Sequence, residues 1–352
     1  MALSGGMDSL YSLLSLMERG VEVFALHALF LPEYLRAPEH DEALERLRES
    51  ARSLGVKLHV ADLSAAFENN VIRPFAKAYL AGKTPNPCAH CNPAMKFGLL
   101  WEEAARLGAA HLATGHYVKR LTGPDGTAIY AGDDESKDQS YFLSLTPLDS
   151  LARAIFPLAQ RKKSAIAAEL AERGIEVPQK GESQEICFIS NNDYRSFLRG
   201  YAARNGLTLP GSGPARLPGG EVVGKHGGLW GYTQGQRHGL GIAWKEPLYV
   251  LGKDAAENAL LVGPRSEFKG EECLCAAPNC FVAPLNWPET VLAKTRYRQR
   301  LAPARAEFAA AGLRLIFLDG EERAPAAPGQ IAALYMPTAN GLRLLAGAEI
   351  IK

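Results

Sequence analysis

Ser4-Gly5-Gly6-Met7-Asp8-Ser9 stands directly before a run in which Leu10, Leu13, Leu14 and Met17 fall at helical spacing and Gly20 follows as a stop. The pattern predicts an amphipathic helix over residues 8–19 with a glycine-rich loop at its N-terminus. Glycines in such a loop let backbone amides approach an anion, the helix end adds partial positive charge, and serine hydroxyls complete the cradle. The plainer alternative is an ordinary turn in which Asp8 caps its helix. Strand, loop and helix in that order favour the phosphate reading. The string lacks the Gly-Lys-Ser/Thr ending of the Walker loop and the spacing of a dinucleotide fingerprint. Only Met1-Ala2-Leu3 precede Ser4, so either the strand feeding the loop is very short or the start of the chain is truncated.

Working outward, the same alternation continues. A strand is expected over 21–29, a helix over 41–54 ending at Gly55, and a strand over 56–61 with Val56, Leu58 and Val60 on one face. A helix over 97–107 ending at Gly108 and a short strand over 111–114 follow. Alternating strands and helices predict an α/β fold, a Rossmann-like, mostly parallel sheet with helices on both faces. After about residue 191, glycine and proline cluster, as in Pro210-Gly211-Ser212-Gly213-Pro214, which predicts a small mixed or β-rich domain. From Cys273 on, short runs over 290–297, 306–309, 313–318, 330–336 and 342–351 alternate with turns such as Asp319-Gly320 and Asn340-Gly341. That spacing predicts a C-terminal antiparallel β-barrel. The expected units are 1–195, 196–265 and 266–352.

A chain of 352 residues exceeds the reach of one core, in keeping with several domains. With 47% hydrophobic and 22% charged residues, and no apolar run near the roughly 20 residues of a span, a membrane protein is excluded. The first residues carry neither a basic start nor an apolar signal region, so a cytoplasmic location is expected. Lys and Arg number 39 against 38 Asp and Glu, a net charge of +1 that leaves any polyanion to local patches. Six cysteines are too few for a disulfide scaffold and read as metal, catalytic or buried thiols.

Two of them lie in Thr84-Pro85-Asn86-Pro87-Cys88-Ala89-His90-Cys91-Asn92, three residues apart before a helix, where thiol pKa values tend to be depressed. A Cys-x-x-Cys redox pair is the simple alternative. Cys187 sits in Glu182-Ser183-Gln184-Glu185-Ile186-Cys187-Phe188-Ile189 and, taken alone, reads as a structural thiol. Cys273, Cys275 and Cys280 have no fourth ligand at zinc spacing and read as ordinary intracellular thiols. Between residues 291 and 305, Lys294, Arg296, Arg298, Arg300 and Arg305 occur without an acidic residue, with Tyr297 among them. Such a stripe is a phosphate footprint with a stacking ring, and Arg161-Lys162-Lys163 is expected to extend it. Gly115-His116 follows the expected 111–114 strand, where parallel sheets bind ligands.

The loop at Ser4 resembles the pyrophosphate loop of the ATP pyrophosphatases, a group that includes GMP synthetase and NAD synthetase. From Ser4 to about Ile351 the chain resembles the tRNA-specific 2-thiouridylases. The likeness is carried by residues 4–9, 84–97, Ala113-Thr114-Gly115-His116-Tyr117, Lys137-Asp138-Gln139-Ser140-Tyr141-Phe142-Leu143, Ile186-Cys187-Phe188-Ile189, 232–241, Thr295-Arg296-Tyr297-Arg298 and Pro328-Gly329-Gln330. The resemblance implies ATP with Mg²⁺ at Ala2, Leu3, Ser4, Gly5, Gly6, Met7, Asp8, Ser9, Ala28 and Gly115. It implies tRNA contacts at Asn86, Pro87, Cys88, His116, Lys137, Asp138, Gln139, Arg296, Tyr297 and Gln330. It also implies Cys91 as nucleophile and Cys187 as persulfide carrier, passing through a Cys91–Cys187 disulfide.

The expected reaction is 2-thiolation of the wobble uridine of tRNAs for Lys, Glu and Gln. Sulfur would come from a donor such as a cysteine desulfurase or a sulfur-relay protein. At Cys88 the better-known branch of the family has an aspartate. The exchange opens a competing reading in which Cys88, Cys91 and Cys187 hold a 4Fe–4S cluster. Two further alternatives are a different ATP pyrophosphatase acting on a small metabolite, and a tRNA-binding relative without activity.

Overall fold

The computed structural model describes all residues except 125, 176, 178–185, 269, 310–311 and 321–322. Parallel ladders build its first layer: Ala25–Leu29 pairs with Leu58–Asp62, and Leu112–Ala113 with Ala154–Ile155. Residues 1–3 join the two pairs. The Leu3 N–H donates to the Leu26 carbonyl at 3.0 Å and the Ala2 N–H to the Ala113 carbonyl at 2.8 Å. The short strand is therefore central in the sheet, and Met1 and Leu3 are buried with Leu13, Leu16, Ala25, Leu47 and Ala113.

The helix expected over 8–19 is Met7–Glu18, and that over 41–54 is Pro38–Ser53, begun early by Pro38 at its first turn. The strand expected over 56–61 is Leu58–Asp62. Its three apolar residues do not share a buried face, because the strand lies at the sheet edge and leaves Val60 exposed. The helix expected over 97–107 is Leu100–Arg106. It continues from Pro87–Cys91 through a π-helical stretch, Asn92–Leu99, that helical periodicity did not reveal.

The middle of the chain forms a four-stranded sheet in the order Val222–His226, Gly213–Arg216, Ala259–Gly263, Tyr249–Asp254, packed on Leu229, Leu240 and Leu248. The last part is an antiparallel barrel. Glu272–Cys275, Gly312–Phe317, Ala302–Ala309, Val291–Lys294, Ile331–Thr338 and Gly341–Glu349 pair in that order, and a bridge from Cys275 to Ile350 closes the ring. Its interior holds Val291, Leu313, Leu315, Leu334 and Leu345.

One connection was not legible beforehand. The hairpin Val118–Gly123 and Gly126–Ala131, from the first part of the chain, adds to the barrel sheet through Tyr130 opposite Arg343. Val118, Ile129, Tyr141 and Phe156 accordingly share a core with Ile331, Tyr335 and Leu344. No helix among the described residues is long and apolar enough to cross a membrane.

Candidate active site

The Ser4–Ser9 loop leaves the central strand at its carboxyl end, with Gly6 as the N-cap of Met7–Glu18. Gly5 takes a left-handed φ of 90°, which favours glycine. Ser9 Oγ organises the loop: it accepts from the Ser4 N–H at 3.2 Å and donates to the Gly6 carbonyl at 2.9 Å, with Ser4 Oγ 3.1 Å away. The first-turn amides of the helix then face the loop, as an anion site requires. Ala28 lies near the end of the neighbouring strand, and Gly115 follows the strand on the other side. A Cβ on Gly115 would lie 3.0 Å from Asp8 C and 3.1 Å from Ser9 N, so the chain passes against the helix start with no room for a side chain.

Asp8 does not cap the helix. Its Oδ1 accepts from Tyr117 Oη at 2.7 Å and from Lys163 Nζ. Lys163 was expected on a tRNA surface with Arg161. Instead it stands beside the phosphate loop, and Arg161 bonds Tyr11 and Glu169. Three adjacent cations read as a surface patch in the sequence because nothing there shows that the helix Lys163–Glu172 packs against Met7–Glu18.

Cys88 and Cys91 sit on Pro87–Cys91, whose N-cap Asn86 accepts from the Ala89 N–H at 3.2 Å. The barrel clamps the approach to this helix. The Thr84 and Asn86 N–H groups donate to the Pro328 and Gly329 carbonyls, and Gln330 Nε2 donates to the Thr84 carbonyl at 2.9 Å. Cys91 and Phe188 belong to one core cluster, and the Phe188 ring lies 5.8 Å from Phe67 and 5.2 Å from Phe75. That packing brings Cys187 within electrostatic range of Cys91 and Cys88. The acidic neighbours Glu182 and Glu185 lie outside the described residues.

The expectation of depressed thiol pKa values is reversed. Burial pushes Cys91 up to about 11 and raises Cys88, against the pull of Lys96. A helix of five residues has little dipole to offset desolvation. Cys187 keeps an exposed surface, yet the protein crowding its sulfur, with Cys91 and Cys88 nearby, pushes it up as well. Water at its exposed face screens part of that push. Among the described residues no group of three or more His, Cys, Asp or Glu is placed to hold a metal ion, so this geometry lends the 4Fe–4S reading no support. Cys273 and Cys275 lie in the barrel wall with their sulfurs 4.0 Å apart, and Cys280 is exposed.

Several residues expected at a tRNA surface are engaged within the protein. Asp138 accepts from Gly132 and Ser140 and pairs with Lys294 at 3.6 Å. Gln139 Oε1 accepts from the Tyr117 N–H. Arg296 donates to the Gln234 carbonyl at 3.0 Å, and Tyr297 packs on Phe142 with ring centroids 4.4 Å apart. His116 is buried, with Nδ1 2.8 Å from Thr114 Oγ1 and Nε2 3.2 Å from Lys96 Nζ. Burial, then Lys96, lowers its pKa well below the usual histidine value.

The basic stripe does not run along one strand. Val291–Lys294 ends at Lys294, which is buried among the Tyr141, Tyr297 and Tyr335 rings. Arg298 and Arg300 are exposed in the turn that follows. Lys96, which acts on all three site cysteines, was missed by the sequence reading, although it lies in the 84–97 stretch that carries the family likeness.

Known proteins share the sequence of this chain over nearly its whole length. The family model for the tRNA methyl transferase HUP domain matches residues 1–191, and that for the tRNA methyl transferase PRC-barrel domain matches residues 204–264. The tRNA-specific 2-thiouridylase MnmA of Oleidesulfovibrio alaskensis is 49% identical, covering 99% of this chain and 98% of the relative. The protein of the same name from Nitratidesulfovibrio vulgaris strain Miyazaki F is 48% identical at the same coverage, and that from Lawsonia intracellularis is 45% identical over 95% of this chain and 94% of the relative. Among solved structures, the U34-tRNA thiolase NcsA from Methanococcus maripaludis with its 4Fe–4S cluster overlaps with a TM-score of 0.35 at 16% identity, covering 58% of this chain and 65% of that one, too loosely to carry an argument.

Proposed function

Since the chain belongs to the tRNA-specific 2-thiouridylase family, we propose that it replaces the C2 oxygen of the wobble uridine of tRNA with sulfur in an ATP-driven reaction. The units 1–195, 196–265 and 266–352 divide the work as catalytic, connecting and tRNA-holding parts. ATP, as its Mg²⁺ complex, binds over Ala2–Ser9, with Ala28 and Gly115 flanking. The uridine C2 oxygen attacks the α-phosphorus and pyrophosphate leaves, so that AMP becomes the departing group at C2.

Cys187 carries the incoming sulfur as a persulfide. The Cys91 thiolate attacks the Cys187 Sγ, forming a Cys91–Cys187 disulfide and releasing hydrosulfide. Hydrosulfide adds at C2 and AMP leaves with the oxygen. A dithiol reductant then returns both cysteines to thiols, which balances the two electrons that the persulfide sulfur gained. The exposed Arg298 and Arg300, with Lys137, meet tRNA phosphates. Asp138, Gln139, Arg296 and Gln330 act by holding the loops that face the tRNA.

The observation that supports this reading best is the shared core that gathers Cys91 and the Cys187 segment, 96 residues apart by number, joined to the Ser4–Ser9 loop through the Lys96–His116 contact and the close packing of Gly115 on Asp8 and Ser9. The test uses unmodified tRNA, ATP, a dithiol and a persulfide-loaded cysteine desulfurase, with nucleoside mass spectrometry as readout. The expected result is 2-thiouridine together with AMP and pyrophosphate. Cys91→Ala and Cys187→Ala should each abolish it while leaving tRNA affinity nearly unchanged. Adenylation of a small metabolite with no 2-thiouridine would refute the proposal.

A further inference from the structure

We propose that Lys96 is the positioning cation of the cysteine site, turned toward the thiols by the π-helical stretch and steadied by the Thr114–His116 hydrogen-bond pair. The inference deepens the sulfur-transfer reading and rests on it. In an α-helix, a residue five positions on is rotated by about 140° from its predecessor. In the wider π turn, five residues come close to one full turn. Asn92–Leu99 is π-helical, and the Leu100 N–H reaches back to the Met95 carbonyl, five residues away. Lys96 thereby returns to the side of the helix that carries Cys91, and Cys88 shares that side three residues earlier.

The π turn is built into the sequence at Gly98, where a Cβ would lie only 2.7 Å from the Pro93 carbonyl oxygen. The far end of the lysine is fixed as well, since its Nζ lies 3.2 Å from His116 Nε2. A neutral imidazole that accepts there carries its proton on Nδ1 and donates it to Thr114 Oγ1 at 2.8 Å. Burial and the Lys96 charge both keep that ring neutral. Lys96 is the cation common to Cys88, Cys91 and Cys187, and on each it opposes burial by favouring the anion. The Cys91 thiolate is the anion that attacks, and the Cys187 persulfide it attacks is protonated on its outer sulfur, which leaves as hydrosulfide.

The helix Pro87–Cys91 itself carries His90, 3.6 Å from Glu349, and Glu68–Ile72 packed on it carries Glu68, which accepts from Tyr34 and Tyr201. Ser140–Leu143 brings Tyr141, which donates to the Ile331 carbonyl. Leu148–Ala152 brings the exposed Asp149, and Leu100–Arg106 brings the exposed Glu102 and a Glu103–Arg106 pair at 2.7 Å.

The test is the pH profile of iodoacetamide labelling at Cys91, read by peptide mass spectrometry on the full chain, beside thiolation assays. Lys96→Met should slow labelling at pH 8 about tenfold and move the profile up by about one pH unit, the effect of losing one nearby opposite charge. Lys96→Arg should restore most of the rate. A merely structural lysine would act in the opposite direction, because loosening the site exposes a buried sulfur and speeds labelling. Faster or unchanged labelling in Lys96→Met overturns the proposal. Slower labelling in a chain that makes no 2-thiouridine would instead refute the proposed function and leave the role of Lys96 at the thiols standing. His116→Gln supplies a second variant, expected to slow labelling less than Lys96→Met, and a rate above native there would also count against the arrangement.

Discussion

Gly115→Ala tests whether the phosphate loop depends on close packing behind it. The added Cβ would sit 3.0 Å from Asp8 C, 3.1 Å from Ser9 N and 3.2 Å from Asp8 Cβ. Carbon contacts are comfortable at about 3.5–4.0 Å, so the helix start must retreat by roughly half an ångström. Two of the three atoms belong to the backbone, which has no rotamer to change. Overpacking of this kind costs about 1–3 kcal/mol. If the cost falls on the loop conformation that binds ATP, affinity drops about 5- to 150-fold, at 1.4 kcal/mol per factor of ten. If it falls on folding, the melting temperature drops by about 2–4 °C per kcal/mol. Calorimetry with an ATP analogue blocked between the α- and β-phosphates, beside a thermal melt, separates the two. Gly123→Ala, which meets nothing within 4 Å, serves as the control. A Gly115→Ala chain that binds within twofold of native and melts unchanged would refute the placement of the loop.

Lys294→Met leaves Asp138 buried without its cation and should cost about 3–5 kcal/mol in denaturant unfolding, with part recovered on adding Asp138→Asn. The same variant should leave the salt dependence of tRNA binding unchanged. Replacing Arg298 or Arg300 should reduce the slope of log affinity against log salt by about 0.7–0.9 for each phosphate left without its cation. Equal slopes for all three variants would show that the exposed turn is not the tRNA surface. Labelling of native Cys91 should rise about tenfold per pH unit from pH 7 to pH 10, because burial sets its thiol at about 11 and only the thiolate reacts. A plateau below pH 8 would contradict that burial.

The loop at Ser4–Ser9 and the helix start behind it were legible because they are set locally, by glycines, serines and helical spacing within a few residues. The helix over Met7–Glu18 and most barrel strands were legible for the same reason, since periodicity and turn residues act over a few positions. The hairpin that joins the barrel sheet at Tyr130 was not, because its partner lies more than 200 residues further on. Charge was the least legible property. Lys294, Arg296 and Lys163 read as surface cations, while the structure holds them with Asp138, with the Gln234 carbonyl and with Asp8.

By itself, then, the sequence determined the α/β beginning, the glycine-rich loop before the first helix, the β-rich end and the cysteines worth watching, all features set by neighbours along the chain. Tertiary structure decided what those groups feel. It made the three-residue start the middle of a sheet and turned the expected acidic thiols into reluctant ones, because desolvation depends on what packs around a sulfur. Through a π turn invisible to helical periodicity, it also placed Lys96 where the thiols need a positive charge.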